Sequence, residues 1–191
     1  QWPQQLPLPA GPILADSSVY PAVGDIDGDG KPEIVVGTYD LRNDLTYFPH
    51  YDEGSIFAFD NQGKLLPGWP KRSGQAGLIG TFENAGPVLG DVDGNGTSEI
   101  VIDGWVAMDL FMFNYDGTQH QGWPLYDYHS NNNPNALADL DMDGKVEVIS
   151  SGIQSSTDQN GVERLDFAAY ARRGDGSNFT SSWPRKLWID E

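Results

Sequence analysis

Cysteine is absent from the 191 residues, which rules out disulfides and thiol chemistry and fits any redox compartment. Basic residues are scarce: 11 Lys and Arg stand against 28 Asp and Glu, a formal charge of −17. Duplex binding needs clustered Lys and Arg, so no nucleic-acid partner is expected, and an anionic membrane surface is disfavoured for the same reason. Apolar runs are short. None approaches the ~20 residues of a bilayer-spanning helix, so no membrane insertion is expected. Catalytic signatures are missing too. There is no G-x-S-x-G elbow, and the three histidines, His50, His120 and His129, lack metal-ligand spacing. No enzyme active site is expected within these residues.

What the chain has in abundance is Asp and Gly, and they are arranged. Asp25–Glu33 reads DIDGDGKPE, Asp91–Glu99 reads DVDGNGTSE and Asp139–Glu147 reads DLDMDGKVE, each followed at once by a β-branched apolar run. Every copy places an oxygen-bearing side chain at loop positions 1, 3 and 5, a Gly at 6 and a Glu at 9. A hard cation such as Ca²⁺ takes roughly 6–8 oxygen ligands, which a tight loop of alternating carboxylates supplies. The expected ligands are Asp25, Asp27, Asp29 and Glu33; Asp91, Asp93, Asn95 and Glu99; and Asp139, Asp141, Asp143 and Glu147. The main-chain carbonyls of Lys31, Thr97 and Lys145 at position 7 are expected to join them, by analogy with the helix–loop–helix calcium loop. That hand itself is excluded: its Glu belongs at position 12, where this chain has Val36, Ile102 and Ser150. Up to three Ca²⁺ are therefore expected, with the second loop weakest because Asn95 replaces a carboxylate. Loops this weak fill only where calcium is about millimolar, so an extracellular or cell-surface protein is expected, with a removed signal upstream.

A second mark recurs. Trp-Pro stands at Trp2, Trp69, Trp123 and Trp183, and the last three close an aromatic-rich strand, an Asx/Gly turn and a returning strand, a hairpin by pattern. Each unit thus reads as four strands, a to d, with the acidic loop joining a and b. In the first unit these are Val19–Gly24, Glu33–Thr38, Ser55–Asp60 and Lys64–Trp69, and d ends at Trp123 and Trp183 in the others. Loops start 66 and then 48 residues apart. Four antiparallel strands at such a period are the mark of a propeller blade. The fold class is all-β, one domain over 1–191: residues 1–18 as strand d of a preceding blade plus linker, then blades at 19–75, 84–125 and 134–188. Because closed propellers need about 4–8 blades, further blades of a longer chain or copies of itself are expected partners.

The run Gly24–Gly37 (GDIDGDGKPEIVVG), with Phe57-Ala58-Phe59 and Gly68-Trp69-Pro70, resembles the FG-GAP or VCBS-type repeats of calcium-binding β-propellers. These occur in the integrin α-subunit head and in secreted bacterial surface proteins, lectins and polysaccharide lyases. The resemblance implies structural calcium in the a–b loops and a role in adhesion or in carbohydrate or protein recognition. Its alternatives are a scaffold within a lyase or peptidase, or a self-assembling subunit. Family loops often carry Asp at position 9, where this chain has Glu.

Function tends to sit in the variable connections. The b–c link Tyr39–Glu53 offers Tyr39, Tyr47, His50 and Tyr51 as a sugar-stacking or protein-docking surface. Arg173-Gly174-Asp175 spells a tripeptide that some integrins bind; it falls in an expected hairpin turn and is expected to be exposed. So short a match arises by chance in a chain with 23 Gly and many Asp, and no adhesion through it is expected.

Overall fold

The computed structural model describes residues 20–42, 50–72, 86–104, 109–125, 129–130, 134–157 and 161–187. Among them there is no helix; the strands form three antiparallel sheets. The first sheet runs β1 (Ala22–Gly24), β2 (Glu33–Arg42), β3 (His50–Phe59) and β4 (Lys71–Arg72) in sequential order. The middle sheet holds β5 (Val88–Gly90), β6 (Glu99–Gly104) and β7 (Asp109–Phe113), with a single bridge from Leu110 to Leu125 in the fourth place. In the last sheet β9 (Ala136–Ala138), β10 (Glu147–Thr157), β11 (Glu163–Arg172) and β12 (Arg185–Lys186) repeat the order, and β8 (His129–Ser130) adds to the same edge of β10 as β9.

The continuous apolar runs after each acidic loop are explained by burial on both faces, since successive strand side chains point to opposite sides. In the middle sheet Ile100, Ile102, Phe111 and Phe113 pack toward Val35, Ile56 and Ala58 of the first sheet. The alternate residues Val101, Leu110 and Met112 pack toward Val148, Ala168 and Tyr170 of the last. The core therefore lies between sheets, in two layers, and no sheet is closed by itself. At about 1.5–3 kcal/mol per fully buried large apolar side chain, these layers are the main cohesion between units.

The fourth strand differs from the sequence reading. It does not lead into Trp-Pro; it follows it. After β3 the chain turns at Asp60–Lys64, where the Gly63 N–H donates to the Asp60 carbonyl, and touches β3 once more through Leu65. It then turns again, the Trp69 N–H donating to the Leu66 carbonyl, passes a cis Trp69-Pro70 bond, and only then pairs as β4 with Ser55 and Ile56. The same hydrogen bonds recur at Gly117 to Asn114 and Trp123 to His120, and at Gly176 to Arg173 and Trp183 to Thr180, each followed by a cis Trp-Pro bond. Proline lacks the N–H that a continuous ladder needs, which is why pairing resumes past it. The b–c links also differ. β2 and β3 extend the hairpin to Arg42 and His50 with an irregularity between Asp40 and Arg42, and β10 and β11 extend it to Thr157 and Glu163.

Candidate metal-binding loops

Each acidic loop is tied by its own carboxylates. Asp25 accepts the Gly28 and Gly30 N–H groups, both at 2.8 Å. Asp91 accepts those of Gly94, Asn95 and Gly96, and Asp139 those of Asp143 and Gly144. At position 5, Asp29, Asn95 and Asp143 each accept the N–H of position 7. Glycine at position 6 is a backbone requirement, since Gly30, Gly96 and Gly144 have φ of 83°, 89° and 90°, a region where L side chains are strained. Position 4 is also left-handed, and in the third loop Met142 occupies it at φ 62° with its side chain 92% exposed.

The glutamates at position 9 are buried. Through Oε2 they accept the N–H of position 2 from Ile26, Val92 and Leu140, at 3.0, 2.9 and 2.8 Å. One oxygen of each thus closes the loop, and only the other can reach a ligand. Burial raises the carboxyls of Glu33 and Glu99 above the ordinary glutamate range, Glu99 to about 7, with the Asp91 and Asp93 charges adding to the effect.

Within 4.8 Å of one another the structure gathers Asp25, Asp27 and Asp29 in the first loop, and Asp139, Asp141 and Glu147 in the third. Glu33 and Asp143 stand outside those groups. In the second loop Asp91 falls outside the group, while Asn95 Nδ2 donates to Asp93 Oδ2 and its Oδ1 accepts from Thr97. There Asp93 and Glu99 meet His120 instead. Sequence spacing missed His120 because it lies in the c–d hairpin, over twenty residues from the loop.

Counter-charges differ between loops. Lys31 Nζ donates to Asp29 Oδ2 at 2.7 Å, an exposed pair that holds Asp29 below the usual aspartate range. In the third loop Arg173 Nη2 donates to Asp141 Oδ2 at 3.1 Å and its Nη1 lies 3.7 Å from Glu147 Oε1. A guanidinium thus already offsets part of that cluster's charge. Main-chain bonds join neighbouring loops, Ser98 N–H to the Ile26 carbonyl and Val146 N–H to the Asp91 carbonyl, so the three form a row along one end of the sheets.

A clamp beside this row links successive units. Trp69 Nε1 donates to the Tyr115 carbonyl at 2.9 Å, and Trp123 Nε1 to the Gly174 carbonyl at 2.6 Å. Both acceptors occupy the second position of the next unit's c–d turn, and both indoles are only 6% exposed. The tripeptide Arg173-Gly174-Asp175 is therefore both an exposed turn and a seam element: the Gly174 carbonyl accepts the indole N–H and Arg173 is paired, while Asp175 stays exposed and the Arg173 side chain partly so.

One stretch of the chain matches a known family. Residues 21–55 match the FG-GAP repeat. The match spans β1, the first acidic loop, β2 and the start of β3, and both later units repeat the position-1, position-5 and position-9 hydrogen bonds of that loop. No curated protein matches the chain. Among the described residues no helix is long and apolar enough to cross a membrane.

The expected ligand surface is only partly described. Tyr39 lies on β2 opposite Gly54, His50 lies opposite Arg42 and Tyr51 follows on β3, while Tyr47 lies outside the described residues. The b–c hairpin leaves the sheet at the end opposite the acidic loops.

Proposed function

We propose that the chain is a calcium-stabilised β-propeller module of an extracellular or cell-surface protein, with blades at 19–75, 84–125 and 134–188, that acts by recognition of a carbohydrate or protein ligand. The observation that carries the reading is the first loop, where three carboxylates within 4.8 Å of one another make an all-oxygen donor set. Such a set suits a hard cation. Asp25, Asp27 and Asp29 would hold Ca²⁺ there, and Asp139, Asp141 and Glu147 would hold it in the third loop in competition with Arg173. Bound calcium would neutralise mutual repulsion and fix the a–b turn; it has no catalytic part in this reading.

Recognition would fall on the opposite end, around the β2–β3 hairpin with Tyr39, Tyr47, His50 and Tyr51. The FG-GAP match, and acidic loops of a kind that fill only at about millimolar calcium, support an extracellular setting. The test is a melt in about 2 mM Ca²⁺ and in chelator. With a Kd of ~10⁻⁴–10⁻³ M, each site adds about 0.6–1.8 kcal/mol by mass action. Calcium should raise the Tm by several degrees, and Asp25→Ala should remove the first loop's share of that gain. An equal Tm in both conditions defeats the proposal. A glycan array with the calcium-loaded chain then separates carbohydrate from protein recognition.

A further inference from the structure

The second loop departs from its sisters in a way that changes its chemistry. The c–d hairpins align by their hydrogen bonds: Leu66, His120 and Phe179 each donate a backbone N–H to the residue two before the turn, Ala58, Met112 and Ala171. Two of the three are apolar: Leu66 packs in the first seam, and Phe179 lies under the Arg173 guanidinium. The third is His120, and it meets Asp93 and Glu99 with ligand atoms all within 4.8 Å. Glu99 is 1% exposed, its Oε2 is taken by the Val92 N–H, and its Oε1 has no hydrogen-bond partner. A buried carboxylate oxygen left without a partner is costly, and here it belongs to a cluster that a cation would satisfy.

The histidine is prepared for that cation. Asp116, held as a carboxylate below the usual range by Thr118, can only accept, so the Thr118 hydroxyl donates to it at 2.6 Å. Thr118 Oγ1 must then accept from Asn114 Nδ2, at 2.9 Å, which leaves Asn114 Oδ1 facing His120 Nδ1 at 2.7 Å. Nδ1 is therefore the N–H, and the lone pair is left on Nε2. A ligating histidine almost always has its other nitrogen fixed in this way. Neither sister unit holds a histidine at this position.

We propose that Asp93, Glu99 and His120 form a site for a borderline divalent transition metal, with Zn²⁺ as the natural probe, distinct from the calcium loops on either side. One imidazole and two carboxylates suit Zn²⁺, which takes three such protein ligands with a further position open. That position would face the cleft of about 530 Å³ between the middle and last sheets, which Asp93 and His120 help to wall. With two carboxylates and a neutral imidazole, the bound dication leaves the site uncharged.

The test is Zn²⁺ binding by equilibrium dialysis of the full chain in 2 mM Ca²⁺, with Co²⁺ absorption as a second readout. One Zn²⁺ per chain should be retained, and Co²⁺ should give the spectrum of a mixed nitrogen and oxygen site. His120→Leu, which installs the residue of the first unit, should lose that equivalent and leave the calcium-dependent Tm gain in place. Asn114→Leu should weaken Zn²⁺ binding about 10–100-fold. Retention of Zn²⁺ by His120→Leu, or none bound by the native chain, overturns the site. Because calcium is scored separately by the melt, failure here and failure of the calcium reading are distinguishable.

Discussion

Between the first and middle sheets, the indole of Trp69 reaches the Tyr115 carbonyl and the seam is filled by Ile26, Leu65 and Leu66. Between the middle and last sheets, Trp123 reaches Gly174 in the same way, yet the space beside it is a cleft walled by His120, Glu147 and Arg173. The clamp is common to both seams and so serves assembly. The polar substitutions belong to one seam, and cohesion does not require them there. Leucine at the His120 position packs well in the first seam, so the polar residues of the second are placed for a different chemistry.

The comparison is broken most severely at the glycines. A Cβ on Gly68 would sit 1.9 Å from the Asp116 carbonyl oxygen, and one on Gly122 2.4 Å from that of Asp175. Both residues also have left-handed φ, 86° and 92°. Gly68→Ala and Gly122→Ala are each expected to destabilise by about 3–5 kcal/mol, the range of severe backbone clashes, as read by urea unfolding. Equal losses would show that the two clamps bear equal weight.

A milder probe separates the clamp from the filling. Trp69→Phe and Trp123→Phe keep an aromatic ring and remove one buried donor, so each should cost about 1–2 kcal/mol. Trp183, half-buried and with no following turn among the described residues, should lose less than about 0.5 kcal/mol on the same change. A large loss at Trp183 would contradict the assignment of the indole bond as the stabilising element.

The smallest expected effect sharpens the difference in charge. Arg173→Met removes the guanidinium from Asp141 and Glu147, and from the face of Phe179, 4.9 Å away in the native chain, while keeping an unbranched apolar stem. The variant should melt lower than the native protein in chelator and recover more of its Tm in calcium. An unchanged calcium response would mean that Arg173 does not compete for the third loop.

The strands and loops were legible because their causes are local. Asp at position 1 folds the turn over its own backbone, glycine supplies the left-handed φ, and the β-branched run that follows must be buried on both sides. The fourth strand was not, because the stretch before Trp-Pro alternates like a strand and only a tertiary contact, the indole on the next turn, shows that it is a second turn. His120 was invisible for a related reason: its partners are brought to it by the pairing of β6 with β7. Aligning the three hairpins position by position, with Leu66 as the guide, would have singled it out. The exposed turn at Arg173 was legible, but its ion pairs were not, because Asp141 and Glu147 come from the loop across the sheet.

The clamp also decides where this chain can be cut and recombined. Each Gly-Trp pair is fitted to a turn that belongs to the following sheet, so residues that must agree with one another lie on either side of every sheet boundary. A module defined by its four strands would separate the donor from its acceptor. One taken from one c–d turn to the next would carry both surfaces of a seam intact, and it is in that offset frame that duplication, deletion or circular permutation of these units should preserve the fold.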